Sequence, residues 1–319
     1  MRRAALFLLN HAVIVLFVTV LIVFGVLTPG FLSWASLENL LVQCAPTAIL
    51  AAGMTFVLMV AGVDLSVGAI MAVTAAVAAK LLAGGAPLPV ALGVILLLGL
   101  LCGLLNGLLV TRLGIAAFIV TLGTLWLGRG AALWITQTRS LGLPDAFLHL
   151  GSSRTAGVPT PILIGAVVLT AGHLTLTRTR FGRQLCATGH SVEAARKAGL
   201  NTRRRITTAY IICGGCAAAG GILALAQLGT VSPTFGLNRE FAAISAAVLG
   251  GTSLFGGRGS ILPGSLLGAA LIQCVENGLV AWNADPYLYP VVTAAVIFLA
   301  VLLDTARQRL AAATPRGIL

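Results

Sequence analysis

Chemistry in this chain must come from a few polar and glycine-rich stretches set between long apolar runs. The first is Gly62-Val63-Asp64-Leu65-Ser66-Val67-Gly68. A carboxylate at mid-bilayer costs about 2.5–3.5 kcal/mol on insertion scales, so Asp64 is expected at a helix boundary near the interface. There Asp64 or Ser66 would cap the exposed amides of the next helix. A direct role in moving a solute is the competing reading, and it extends to Gly68. The second stretch, Leu249-Gly250-Gly251-Thr252-Ser253-Leu254-Phe255-Gly256-Gly257-Arg258-Gly259, punctuates an apolar run with glycine. Such glycines permit close helix crossing or unwound backbone around a ligand path, and they serve simple turns equally well. Gly250, Gly251, Thr252, Gly256 and Gly257 are therefore translocation or gating candidates. A third set, Gly99, Gly103 and Gly107 with Asn106 beside them, repeats every fourth residue and reads as a helix-packing face, with Asn106 a further pathway candidate.

Catalytic arrangements are missing from the sequence. No HExxH, GxSxG or spaced Ser-His-Asp set occurs, and the two lysines, Lys80 and Lys197, follow no GxxxxG run, so no phosphate-binding loop is present. Neither a catalytic nor a metal or cofactor site is assigned; ATP and Mg²⁺, if used, belong on another subunit. Cys213 and Cys216 form a CxxC within a Gly/Ala-rich run and are expected to be small packing residues. Arg129, His173 and Glu276 fall inside apolar runs but within about two turns of their ends, where snorkelling accommodates them. No facing acid and base are expected in mid-membrane.

These residues must be positioned by membrane helices. Of 319 residues 58% are hydrophobic and 9% charged, with a mean hydropathy of +1.04. Charge-free runs near 20 residues match an apolar slab about 30 Å thick, and backbone groups in lipid must be satisfied within the helix. Charge-poor runs predict an all-α polytopic fold of about ten transmembrane helices, over residues 6–27, 38–61, 66–83, 89–110, 115–136, 161–177, 206–226, 241–255, 261–280 and 288–304. Residues 1–319 form one transmembrane domain. The eighth span is short and glycine-bracketed, so a broken or re-entrant helix is expected, and Pro46 should kink the second. The net charge of +12 is spread over short connecting segments, which fits a membrane surface and no nucleic acid. With both termini cytoplasmic, 15 of the 20 basic residues lie inside, including Arg2, Arg3 and Arg316. Spans 2–5 and 7–10 then start on opposite sides, as an inverted repeat requires.

Two connections are long. The outer one, residues 137–160, offers a docking surface. The inner one, residues 178–205, holds eight basic residues and one acid. Within it Ser191 as N-cap, Ala194 and Ala195 as helix formers and Gly199 as a stop predict a short extramembrane helix with an alanine face fit for a groove on another protein.

The stretches 53–57 with 62–68, 179–183 with 198–201, and 247–253 with Gly256-Gly257 together resemble the permease subunits of ribose-, xylose- and galactose-type ABC importers, which share their membrane domain with branched-chain amino-acid permeases. The resemblance covers about residues 31–304. It implies import of a pentose or hexose across a prokaryotic plasma membrane, the inner one where there are two. It also implies a second permease subunit, a cytoplasmic ATPase seated on the inner loop, and an extracytoplasmic sugar-binding protein. Gly189, Ser191, Glu193, Ala194, Ala195 and Gly199 would form the ATPase-coupling segment. This chain carries Ala61 where those permeases usually have glycine, His190-Ser191 in place of Gly-Asn, and Ala242 in place of an acidic residue.

Overall fold

The computed structural model describes residues 12–312. The expected start of the first span at residues 6–11, and the arginines Arg2, Arg3 and Arg316, lie outside the described residues.

Helices dominate. They are α1 (Ala12–Leu27), α2 (Trp34–Met59), α3 (Val67–Ala83), α4 (Leu88–Arg112), α5 (Ala117–Thr136), α6 (Asp145–Ser152), α7 (Thr160–Arg178), α8 (Arg180–His190), α9 (Val192–Lys197), α10 (Thr202–Leu228), α11 (Arg239–Leu249), α12 (Leu266–Ala281) and α13 (Tyr289–Ala312). Among the described residues six stretches are long and apolar enough to cross a bilayer: Trp34–Met59, Leu88–Arg112, Ala117–Thr136, Thr160–Arg178, Thr202–Leu228 and Ile261–Ala281. Shorter apolar helices occupy Val13–Leu27, Val67–Ala83 and Pro286–Leu299. The protein is thus an all-α polytopic membrane protein.

The helix ends follow local chemistry. Ser33 caps α2 by accepting the Ser36 amide, and Asn201 caps α10 by accepting that of Arg204. Gly229, at φ 73°, ends α10 in the left-handed conformation that glycine adopts without strain. Pro46 lies inside α2 without ending it.

Helix α2 is the central post, buried continuously from Cys44 to Met59, with α7, α10, α11 and α12 packed around it. The predicted small-residue face of α4 seats it on α10. A Cβ on Gly99 would meet Ala218 and the Gly214 carbonyl, one on Gly103 the Tyr210 carbonyl, and one on Gly107 the Thr207 backbone. Cys213 and Cys216 pack against Gly53 of α2, so the CxxC is a contact surface as expected. Apolar side chains point outward on the peripheral helices, among them Trp126 and Leu127 of α5. Exposed Trp34, Trp134, Trp282 and Tyr287 lie at helix ends on one side of the bundle, where amphipathic rings suit a headgroup layer.

Both long connections hold more structure than the sequence suggests. Residues 178–205 contain α8 as well as α9, with Thr179 capping α8 through the Gly182 amide. Residues 137–160 contribute α6 and strands of two small ladders. In one, β1 (Leu141–Gly142) pairs antiparallel with β4 (Thr230–Val231); in the other, β2 (Arg154–Thr155) pairs with β3 (Val158–Pro159). Arg154 pairs with Glu38 of α2, fastening this loop to the bundle.

Candidate functional site

Between α2 and α3 the chain unwinds and turns back into the protein. Asp64 is fully buried there, at the helix boundary where it is expected. The Tyr210 hydroxyl donates to the Val63 carbonyl at 3.3 Å, tying the break to α10. The Asp64 Oδ1 accepts the Ser66 amide at 2.9 Å and the Ser66 hydroxyl at 2.6 Å, and Asn106 Nδ2 donates to that hydroxyl at 2.8 Å. The carboxylate therefore caps the start of α3, while Ser66 makes no side-chain cap bond. Asp64, Ser66 and Asn106 form one buried network joining the break to α4; its hydrogen bonds offset part of the cost of withdrawing these groups from water, while Asp64 Oδ2 and Asn106 Oδ1 have no partner among the described residues.

A second break, residues 229–238, joins α10 to α11, and its tip meets the first. Gly68 and Gly236 are packed so closely that a Cβ on either would strike the other's carbonyl. Arg129 of α5 ties this junction, with Nη1 donating to the Phe235 carbonyl at 2.6 Å and Nη2 to the Gly236 carbonyl at 2.5 Å. The Glu240 carboxylate, buried, reaches the same face of Gly68, where an added Cβ would also meet Arg129 Nη2. An acid and a base thus converge on one glycine within the bundle, and Arg129 cross-links α5 to the second break. Glu240 lies just outside the expected eighth span at residues 241–255, and composition gives no sign that it meets Gly68.

The eighth span is broken, as expected, but sooner: α11 ends at Leu249, and residues 250–260 form a glycine turn. A Cβ on Gly250 would collide with the Gly264 backbone, so Gly250 marks a close chain crossing. Gly251, Gly256 and Gly257 hold φ of 88°, 85° and 76°. Thr252 is buried beside Thr55, whose hydroxyl lies 2.8 Å from that of Ser265, stitching the turn and the start of α12 to α2.

The inner loop rests on this turn. A Cβ on Gly189 would overlap the Met59 carbonyl and the Gly257 amide, two groups that hydrogen-bond to each other at 2.9 Å. The Cys186 thiol donates to the Gly257 carbonyl at 2.7 Å, and Gly256 packs on the Gly189 carbonyl and Ala61. Ala61 itself holds φ 55°, which explains why glycine suits this position. The predicted helix forms as α9: Ser191 caps it through the Ala194 amide, and Gly199 stops it at φ 81°. The coupling set divides by burial. Gly189 and Ala195 face inward as packing residues, while Ser191, Glu193, Ala194 and Gly199 are exposed, with Glu193 paired to Lys197 at 2.9 Å. Phe255 of the glycine turn is 90% exposed, an outward aromatic that the sequence reading passed over.

Apart from these clusters, a cavity of about 900 Å³ opens among α2, α10, α11, α12 and α13. Glu276 lines it, so this acid faces a cavity. None of the translocation candidates singled out above borders it.

Comparison with known proteins bears on what such an arrangement does. Residues 36–301 match the family described as branched-chain amino acid transport system / permease component. The chain is 38% identical over 304 residues to a ribose import permease protein of Escherichia coli strain K12, covering 94% of each chain. It is 35% identical over 303 residues to the D-allose transport system permease protein of that strain, covering 94% of this chain and 93% of the relative. A ribose import permease protein of Bacillus subtilis strain 168 is 37% identical over 292 residues, covering 91% of this chain and 90% of the relative. No solved structure matches the chain.

Proposed function

This chain belongs to the permease-component family of branched-chain amino acid transport systems, and from that premise we propose that it is the transmembrane subunit of an ATP-driven importer of a pentose or hexose. The observation that carries the reading is the near full-length similarity to permeases named for ribose and D-allose. In this reading the chain crosses a prokaryotic plasma membrane ten times with both termini cytoplasmic, and binds neither ATP nor Mg²⁺ itself. A cytoplasmic ATPase grips α9 and Phe255, an extracytoplasmic binding protein docks on the loop holding α6, and a second permease subunit completes the pathway.

The breaks supply a mechanism. In α2 to α3, and again in α10 to α11, a long helix is followed by an extended break and a shorter helix, and the two breaks meet at Gly68 and Gly236. This supports an inverted repeat of the expected spans 2–5 and 7–10, residues 38–136 and 206–304. A push on α9 travels through α8 to Gly189, which touches both Met59 at the end of α2 and Gly257 in the glycine turn. Docking outside reaches the other break through the β1–β4 ladder. Each partner thus bears on one end of α2 or α11, and different contacts in outward- and inward-open states would let ATP shift their balance.

Import of an amino acid is the second reading, favoured by the family's description. Reconstitution with the partner ATPase and binding protein, in vesicles offered labelled pentoses, hexoses and leucine, decides between them. ATP-dependent accumulation of a sugar is expected; accumulation of leucine alone, or ATP turnover by this chain without a partner, would refute the proposal.

A further inference from the structure

The cavity among α2, α10, α11, α12 and α13 is walled by side chains whose hydrogen-bonding needs are only half met by one another. Gln273 Nε2 donates to Gln43 Oε1 at 3.2 Å and to Asn277 Oδ1 at 2.9 Å. This uses the amide oxygens of Gln43 and Asn277, leaving their NH₂ groups as donors and the Gln273 oxygen as an acceptor. Glu276 and Arg239 also line the space, and they form no salt bridge within 4.0 Å among the described residues. Tyr289 adds an aromatic ring to the wall.

We propose that this cavity is the place where the transported polyol contacts the chain during passage, a deepening that rests on the sugar-importer reading. A sugar hydroxyl both donates and accepts, so a wall alternating amide NH₂, amide oxygen, carboxylate and guanidinium matches a polyol closely. Opposite charges in the wall cancel, which disfavours an anion such as a sugar phosphate. The lining offers scattered polar contacts around an apolar body in place of one deep anion or metal cage, as a conduit that must release its cargo requires. Two walls belong to elements that the breaks control: α11 follows the Gly236 junction, and α2 ends at the Gly189 contact. Movement at either junction therefore reshapes the cavity.

The test uses the assembled importer in vesicles and reads labelled sugar uptake and ATP hydrolysis separately for Glu276→Gln and Asn277→Leu, both close in shape to the native residue. Leu127→Ala, on the lipid-facing side of α5, is the control. Each cavity variant should lower uptake about tenfold, the loss expected for a hydrogen bond to a charged or buried polar group. ATP hydrolysis stimulated by the loaded binding protein should stay within about twofold, because coupling contacts are intact. Uptake equal to the control would remove the cavity from the path while leaving the importer reading standing. A parallel fall of uptake and hydrolysis would make these residues structural and overturn the inference. A native importer that accumulates leucine and no sugar would instead bring down the reading beneath it.

Discussion

Replacing Gly189 by alanine tests whether the inner loop is seated on the core as the structure requires. The added Cβ would overlap the Met59 carbonyl and crowd the Gly257 amide, and both obstacles are backbone, so no side-chain rotation relieves them. Overpacking of this kind costs about 1–3 kcal/mol, and losing the Gly257-to-Met59 hydrogen bond adds about 1 kcal/mol. The expected penalty is then about 2–4 kcal/mol, borne by the local docking of α8. Cys186 is a built-in reporter, because its thiol donates to the Gly257 carbonyl in the docked state. At about 1.4 kcal/mol per factor of ten, even 2 kcal/mol raises the undocked population by about thirtyfold. The rate of Cys186 modification by a membrane-impermeant maleimide, followed by mass spectrometry of the purified chain, should rise accordingly. Met59→Ala should not reverse the effect, since the clash is with the carbonyl. An unchanged labelling rate in Gly189→Ala, or rescue by Met59→Ala, would refute the docking geometry.

Arg129→Met removes two charged hydrogen bonds to Phe235 and Gly236, each worth about 1.5–3 kcal/mol, and should lower the thermal midpoint of the detergent-purified chain; an unaltered midpoint would deny the cross-link. Ala61→Gly should raise the same midpoint, because relieving a left-handed alanine is worth about 1 kcal/mol. Gly199→Val, placed at φ 81° with open space around it, should disturb the stop of α9 through backbone strain and weaken ATPase coupling without loss of membrane insertion; normal uptake would dissociate α9 from the ATPase. Reporter fusions after residues 150 and 190 should report outside and inside respectively, and the reverse pattern would overturn the orientation.

Composition alone determined that this chain lives among helices in lipid, because a run of uncharged residues long enough to cross an apolar slab has few other uses. Local rules also determined α9 from Ser191 to Gly199, the packing faces at Gly99 and Cys213, and the break after α11, since caps, glycine spacing and helix length are encoded within a few residues. Tertiary structure decided the rest. Asp64 is fully enclosed because the segment before it turns back into the protein, Arg129 finds Phe235 because a break more than 100 residues later comes to meet α5, and Glu276 faces a cavity enclosed by helices distant in sequence. Each depends on where extended backbone goes once it leaves a helix, and that path is set by packing partners from elsewhere in the chain.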